Sequence, residues 1–174
     1  MEVDRSAQLR DEIRKALNCP SLDFFYAAEF VSRDKLQRKI DEKLREVNLS
    51  YSVSHSRILG GAAFAADEIG FDLEETSRVS EKVALRVTSH EQLRIAPSAP
   101  MLFVAQEAAF KALRGPRQPK VVTEVEILEW LERDFFLPMY GFTARLKGQQ
   151  IQWLGVCFEQ DEHTIGLSHF PHST

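Results

Sequence analysis

Three short stretches of the chain hold residue types that could do chemistry together. The first is Gly70-Phe71-Asp72-Leu73-Glu74. Residues two apart on a strand share a face, so Asp72 and Glu74 point the same way, beside Gly70, with Ile69, Phe71 and Leu73 on the core side. Carboxylates are hard oxygen ligands of the kind Mg²⁺ takes one or two at a time, filling its shell with water and substrate phosphates. The same alternation also describes an ordinary amphipathic strand with a wet acidic face. The second stretch is Phe103–Leu113, where Glu107 and Lys111 lie four apart and meet on one helix face among alanines and phenylalanines. Alone, that pair is an intrahelical ion pair. The third is Ser54-His55-Ser56 at a strand end. Histidine changes charge near neutral pH, but a lone one is more often structural, and neighbours Tyr51 and Val53 are expected to face the core.

These stretches sit in a chain of 174 residues, the size of one domain or two small fused lobes. Apolar residues make up 44% and charged ones 28%, which fits a globular protein with a real core. No apolar run approaches the roughly 20 residues that cross a bilayer, and the greasiest, Ile58–Ala66, is far too short. The opening Met1-Glu2-Val3-Asp4-Arg5-Ser6 is acidic and polar, unlike a signal peptide. Cys19 and Cys157 form neither a metal spacing nor a disulfide framework, so reduced thiols in a cytoplasmic protein are expected. A net charge of −4, from 22 basic and 26 acidic side chains, argues against general nucleic-acid binding. Fourteen of the 22 cations are arginine, which suits a bidentate grip on phosphate or carboxylate.

The elements that must position the candidate residues read as follows. Leu9, Ile13 and Leu17 predict an amphipathic helix over 3–17 that stops before Pro20. Leu36, Ile40, Leu44 and Val47 predict another over 33–47, whose outer face carries six Lys and Arg residues, ordinarily a solvated face. The period drops to two at Tyr51–His55, then Gly60-Gly61 and a buried-looking Ala62–Ala66 precede the Ile69–Glu74 strand. Thr76–Arg86 reads as helical, Pro97 and Pro100 bound a loop, and Met101–Leu113 is a helix. Beyond Lys120 come Phe142–Leu146, a Lys147-Gly148 turn, Ile151–Phe158 and Thr164–Phe170, a strand meander; 123–132 fits either a strand or a helix. The fold class is α+β, helices packed on mostly antiparallel strands.

In their order along the chain, the Ser-His-Ser strand end, the Gly-Phe-Asp-Leu-Glu strand and the Phe103–Leu113 helix resemble the 4′-phosphopantetheinyl transferase superfamily. That family carries a Ser-His-Ser strand end, a Gly-hydrophobic-Asp-hydrophobic-Glu strand and a helix with aromatic-small-x-Lys-Glu-x-x-x-Lys. The similarity runs from about Leu49 to Leu113. Asp-x-Glu with Ser-His-Ser belongs to the two-lobed, surfactin-type subgroup. The resemblance therefore implies a single transferase domain over 1–174, pseudo-two-lobed, with a shortened first lobe (1–66) and a second lobe (67–174). Two departures stand out: the family lysine before the glutamate is Gln106 here, and the Gly-Lys-Pro loop that helps hold the nucleotide is missing. The chain is then a trimmed two-lobed form or a homo-oligomer whose pocket another subunit completes.

What the resemblance implies is transfer of the phosphopantetheine arm of coenzyme A to a serine of an acyl carrier protein or related carrier domain, without nucleic acid or membrane. Asp72, Glu74 and Glu107 would match the Mg²⁺ acids; Ser54, His55 and Lys111 would match contacts to the coenzyme A phosphates. Glu107, Lys111 and His55 would then carry the catalysis. With the Gly-Lys-Pro loop missing, Arg38 or Lys39 is expected to reach the nucleotide 3′-phosphate. Arg78, Lys82 and Arg86, four apart on the expected helix after the acidic strand, form a stripe suited to docking an acidic carrier protein. The rival expectation is an impaired homologue that binds carrier protein or coenzyme A without transfer.

Overall fold

The computed structural model describes residues 4–45 and 47–171, so Val3 and Glu46, at or inside the two expected N-terminal helices, lie outside it. Helix α1 (Arg5–Leu17) starts where the Asp4 carboxylate accepts the N–H groups of Ser6 and Ala7, and ends at Asn18 in the left-handed region. Strand β1 (Asp23–Ala27) and helix α2 (Arg33–Leu44) follow, then β2 (Ser50–His55) and β3 (Gly60–Ala65). The three strands form one antiparallel sheet in the order β1-β3-β2. Leu36 and Ile40 of α2 cover one face of it by packing on Ala62 and Phe64.

Strand β4 (Glu68–Glu75) opens a second, five-stranded sheet with β5 (Val125–Arg133), β6 (Met139–Leu146), β7 (Gln152–Gln160) and β8 (His163–Phe170). Its order is β4-β8-β7-β6-β5 and every pairing is antiparallel, so the architecture is α+β. The stretch left open between helix and strand, 123–132, lies mainly in β5, the edge strand next to β6. Between β4 and β5 come α3 (Glu81–Ala84), α4 (His90–Ile95) and α5 (Ala99–Ala112). Ser98 caps α5 by accepting the Met101 N–H, and Pro100 sits in its first turn, where a missing N–H costs nothing. No described helix is long and apolar enough to cross a membrane.

Each face of the large sheet has its own cover. Ile69, Phe71 and Leu73 pack against Leu9, Ile13 and Leu17 of α1 and against Phe24, Ala63 and Ala65 of the small sheet. The opposite face lies under α5. α5 comes unusually near because glycines lie beneath it: a Cβ on Gly70 would collide with the Ala108 carbonyl, and one on Gly166 would stand 2.8 Å from the Val104 carbonyl. α1 precedes the small sheet in sequence but seats on the large one, so the two halves of the chain interlock.

Two expectations are corrected here. In β2 the serines, not the alternate residues, are buried: Ser52 and Ser54 are 5% and 7% exposed, whereas Val53 is 37% exposed. The serine face is turned toward the neighbouring strand β4, where polar groups need partners, and Tyr51 stacks on Phe64 instead. The expected helix over 76–86 is also broken. Thr76–Arg78 is a single 3₁₀ turn and only Glu81–Ala84 is α-helical, so Arg78, Lys82 and Arg86 do not form one continuous stripe.

Candidate active site

Strand β4 supplies two acids from the face that looks at α5. Asp72 pairs across the ladder with Gly166, which pairs with Cys157, so this row presents no side chain larger than a thiol beside the carboxylate. The glycine bed lets α5 descend until Lys111 reaches it: Lys111 Nζ stands 2.6 Å from Asp72 Oδ1. The same ammonium donates to the Phe71 carbonyl at 3.3 Å and to Ser54 Oγ at 3.4 Å, so its three donors meet three oxygens. Ser54 in turn donates to Asp72 Oδ1 at 2.8 Å. Asp72 is 3% exposed, and its second oxygen, Oδ2, is buried with no hydrogen-bond partner among the described residues. A buried carboxylate oxygen without a partner calls for one, such as a water or an ion.

Glu74 and Glu107 lie near enough to Asp72 for the acids to shift one another's titration. Burial pushes the half-buried Glu74 carboxyl up from its ordinary 4.5 to about 7; the charges of Asp72 and Glu107 add to this, while Lys111 and Arg78 oppose it. Glu107 is raised for the same reasons, burial first and then Asp72, against Lys111. Burial, with Asp72 behind it, also pushes the Cys157 thiol well up, which keeps it neutral and unreactive. His55 moves the other way: desolvation lowers its pKa, helped by the charges of Arg33 and Lys111, so the ring is neutral at physiological pH. Its Nε2 is buried without a partner among the described residues.

A cavity of about 400 Å³ has Glu74, alone of the three acids, in its wall, with His55, Arg57, Arg78, Arg86 and Phe103. Arg57 and Arg78 are held there by Glu75, at 3.4 and 3.7 Å. Three arginines beside an aromatic side chain are groups of the kind that suit an anion, two of them already paired with Glu75. A cleft of about 640 Å³ lies apart from it, between α1 and the β7–β8 turn, and contains none of the candidate acids.

The structure brings Ser54, Asp72 and Lys111 into contact, with Glu74 and Glu107 within reach of their charge and His55 in the cavity wall, and sends other expected residues elsewhere. Arg38 and Lys39 are spent on α2 itself, Arg38 on the Asp34 carbonyl and Lys39 on Glu42. Arg33, at the start of α2, is the cation from that helix whose charge is felt at His55. Arg78 and Arg86 turn into the cavity, leaving the exposed Lys82 outside its lining. Gln106 is 1% exposed and donates to the Val125 carbonyl at 2.8 Å, on the β5 side of α5, so its side chain is not part of the acid cluster. Sequence reasoning missed Arg57 and Arg33; the former stands two residues past His55, a spacing that a continued strand would have placed on the same face.

The three acids share one electrostatic neighbourhood, but no three His, Cys, Asp or Glu side chains among the described residues are gathered closely enough to ligate one ion as they stand. Neither a protein-family model nor a curated relative matches the chain.

Proposed function

We propose that this protein is a 4′-phosphopantetheinyl transferase, moving the phosphopantetheine arm of coenzyme A to a serine of an acyl or peptidyl carrier protein and releasing adenosine 3′,5′-bisphosphate. The observation that carries the reading is the meeting of its three motifs. Ser54, Asp72 and Lys111, up to 57 residues apart in sequence, lie within hydrogen-bond distance of one another. Glu74 and Glu107 complete the group.

The three acids are the hard oxygen donors a divalent cation takes, though as they stand they would have to draw together around it. Asp72 Oδ2 has no hydrogen-bond partner among the described residues, and burial, then the charge of Asp72, raises the pKa values of Glu74 and Glu107 against the pull of Lys111. Asp72, Glu74 and Glu107 would hold Mg²⁺, which when bound neutralises phosphate charge. The chain's own groups do the remainder. Arg57, Arg78 and Arg86 bind the anionic nucleotide portion, and neutral His55 offers it a hydrogen bond rather than a charge. The carrier serine Oγ attacks the phosphorus that bears pantetheine. The bond to the nucleotide's bridging oxygen breaks, that oxygen leaving with its electron pair on adenosine 3′,5′-bisphosphate. Glu107, whose carboxyl burial raises above its ordinary pKa, takes the serine proton. Lys111 steadies the developing charge through the field it already exerts on Asp72.

A second reading, binding of coenzyme A or carrier protein without transfer, draws on the spread of the three acids. Calorimetric titration with coenzyme A, with and without Mg²⁺, tests what the two readings share. Binding that tightens with Mg²⁺ is expected; no binding under either condition overturns the transferase and leaves only a carrier-protein binder. The mass of a carrier protein after incubation then separates them.

A further inference from the structure

We infer that Ser54 is a positioning residue that sets the Asp72 carboxylate for a cation and joins the small sheet to the site; the catalytic part of this inference rests on the transferase reading above. Strands β2 and β4 run side by side in the same sense, Ser52 meeting Phe71 and Ser54 meeting Asp72, yet no backbone ladder joins them among the described residues. Two buried serines do that work. Ser52 Oγ accepts the Phe71 N–H at 3.0 Å, satisfying an outward-facing donor of β4. Ser54 Oγ instead gives its proton to Asp72 Oδ1 at 2.8 Å and presents a lone pair to Lys111 Nζ at 3.4 Å.

The consequence is an asymmetric carboxylate. Ser54 and Lys111 both hold Oδ1, which restrains the group, while Oδ2 is buried with no partner among the described residues. A carboxylate held through one oxygen meets an incoming cation already oriented, and partners behind a metal ligand of this kind are typically worth about 10- to 100-fold in affinity or rate. Ser52 is the internal control. It lies on the same strand, is equally buried and stitches the same seam, but bonds the backbone of Phe71 and not Asp72.

The test uses Ser54→Ala, Ser54→Thr and Ser52→Ala, with Ser54→Cys replacing the alanine variant should that one not fold. Mn²⁺ affinity by electron paramagnetic resonance without coenzyme A, the thermal midpoint, and kcat and KM for transfer are measured on each. Ser54→Ala should bind Mn²⁺ about 10-fold more weakly and lose kcat with KM for coenzyme A unchanged, and Ser54→Thr should recover most of both. Ser52→Ala should lower the midpoint yet keep the Mn²⁺ affinity. Unchanged Mn²⁺ affinity in Ser54→Ala, an equal loss in Ser52→Ala, or no Mn²⁺ binding by the native protein overturns the inference. If the native protein binds Mn²⁺ with the expected variant pattern but transfers nothing, the positioning role stands and the transferase reading falls.

Discussion

Lys111 and Asp72 form an ion pair with Nζ and Oδ1 2.6 Å apart, joining helix α5 to strand β4 across 39 residues of chain. The carboxylate is 4% exposed and the ammonium 29%, so the pair is shielded mainly on the acid's side. Removing either partner alone therefore has different consequences from removing both. Lys111→Met should cost about 3 kcal/mol, because it leaves a buried carboxylate with only Ser54 beside it. The double variant Asp72→Asn with Lys111→Met should regain part of that loss. Urea denaturation of Lys111→Met, Asp72→Asn and the double variant checks this, and strictly additive effects would contradict the pairing.

Glu74 fixes the pH behaviour. Its folded pKa of about 7 lies above the ordinary 4.5, so the folded state holds this proton more tightly than the unfolded chain. The stability so gained is fully present below about pH 4.5 and is lost as pH rises through about 7. Glu74→Gln should flatten the fall in stability across that window and leave the variant the more stable protein above it. Mg²⁺ should reverse the shift, since binding requires the ionised carboxylate and so expels a proton near neutral pH. Calorimetry in two buffers of different ionisation enthalpy reads the proton released; none released would place Mg²⁺ away from Glu74.

The arginines of the cavity divide cleanly from their neighbour. Arg78→Ala and Arg86→Ala should each weaken coenzyme A by about 10-fold, the scale of losing a charged hydrogen bond. Lys82→Glu should leave coenzyme A affinity unchanged, because Lys82 lies outside the cavity lining. Direct titration of each variant decides it. Equal losses for all three would restore a single stripe, and losses confined to carrier-protein binding would return the arginines to a docking face.

At Gln106 the structure sets the side chain away from the place that the sequence resemblance implies. A lysine there would resemble the family's helix more closely, but the side chain is buried against β5 and its amide satisfies the Val125 carbonyl. Gln106→Lys should lower the thermal midpoint and give no faster transfer, because burying an ammonium without an acid beside it is costly. A faster enzyme of unchanged stability would show that residue 106 reaches the phosphates after all.

Much of this site was legible before any coordinates. The alternation Gly70, Asp72, Glu74 placed both acids on one face, and the four-residue spacing of Glu107 and Lys111 placed a matching pair on a helix. What could not be read was contact between elements. Nothing local marks Ser52 and Ser54 as buried, because burial there comes from β4 lying alongside, and the alternation by itself favoured Tyr51 and Val53. The Arg78-Lys82-Arg86 spacing mimicked a helix, but a 3₁₀ turn ends at Arg78 and a new helix starts after Ser80, so tertiary placement against the cavity overrode the periodicity. Strand β1 escaped notice because Asp23-Phe24-Phe25-Tyr26-Ala27 does not alternate in polarity: Phe24 packs with the core against the large sheet while Phe25 packs with Phe30 and Phe64 beneath α2.

The most direct measurement of the central claim is the mass of an apo carrier protein after incubation with this protein, coenzyme A and Mg²⁺, run beside Asp72→Ala. The account predicts that the carrier gains the mass of one phosphopantetheine on its serine. With Asp72→Ala the rate should fall by about 10²-fold or more, the scale of losing a key electrostatic group. A carrier of unchanged mass, with coenzyme A shown to be bound, would contradict the account and leave a binding protein in place of a transferase.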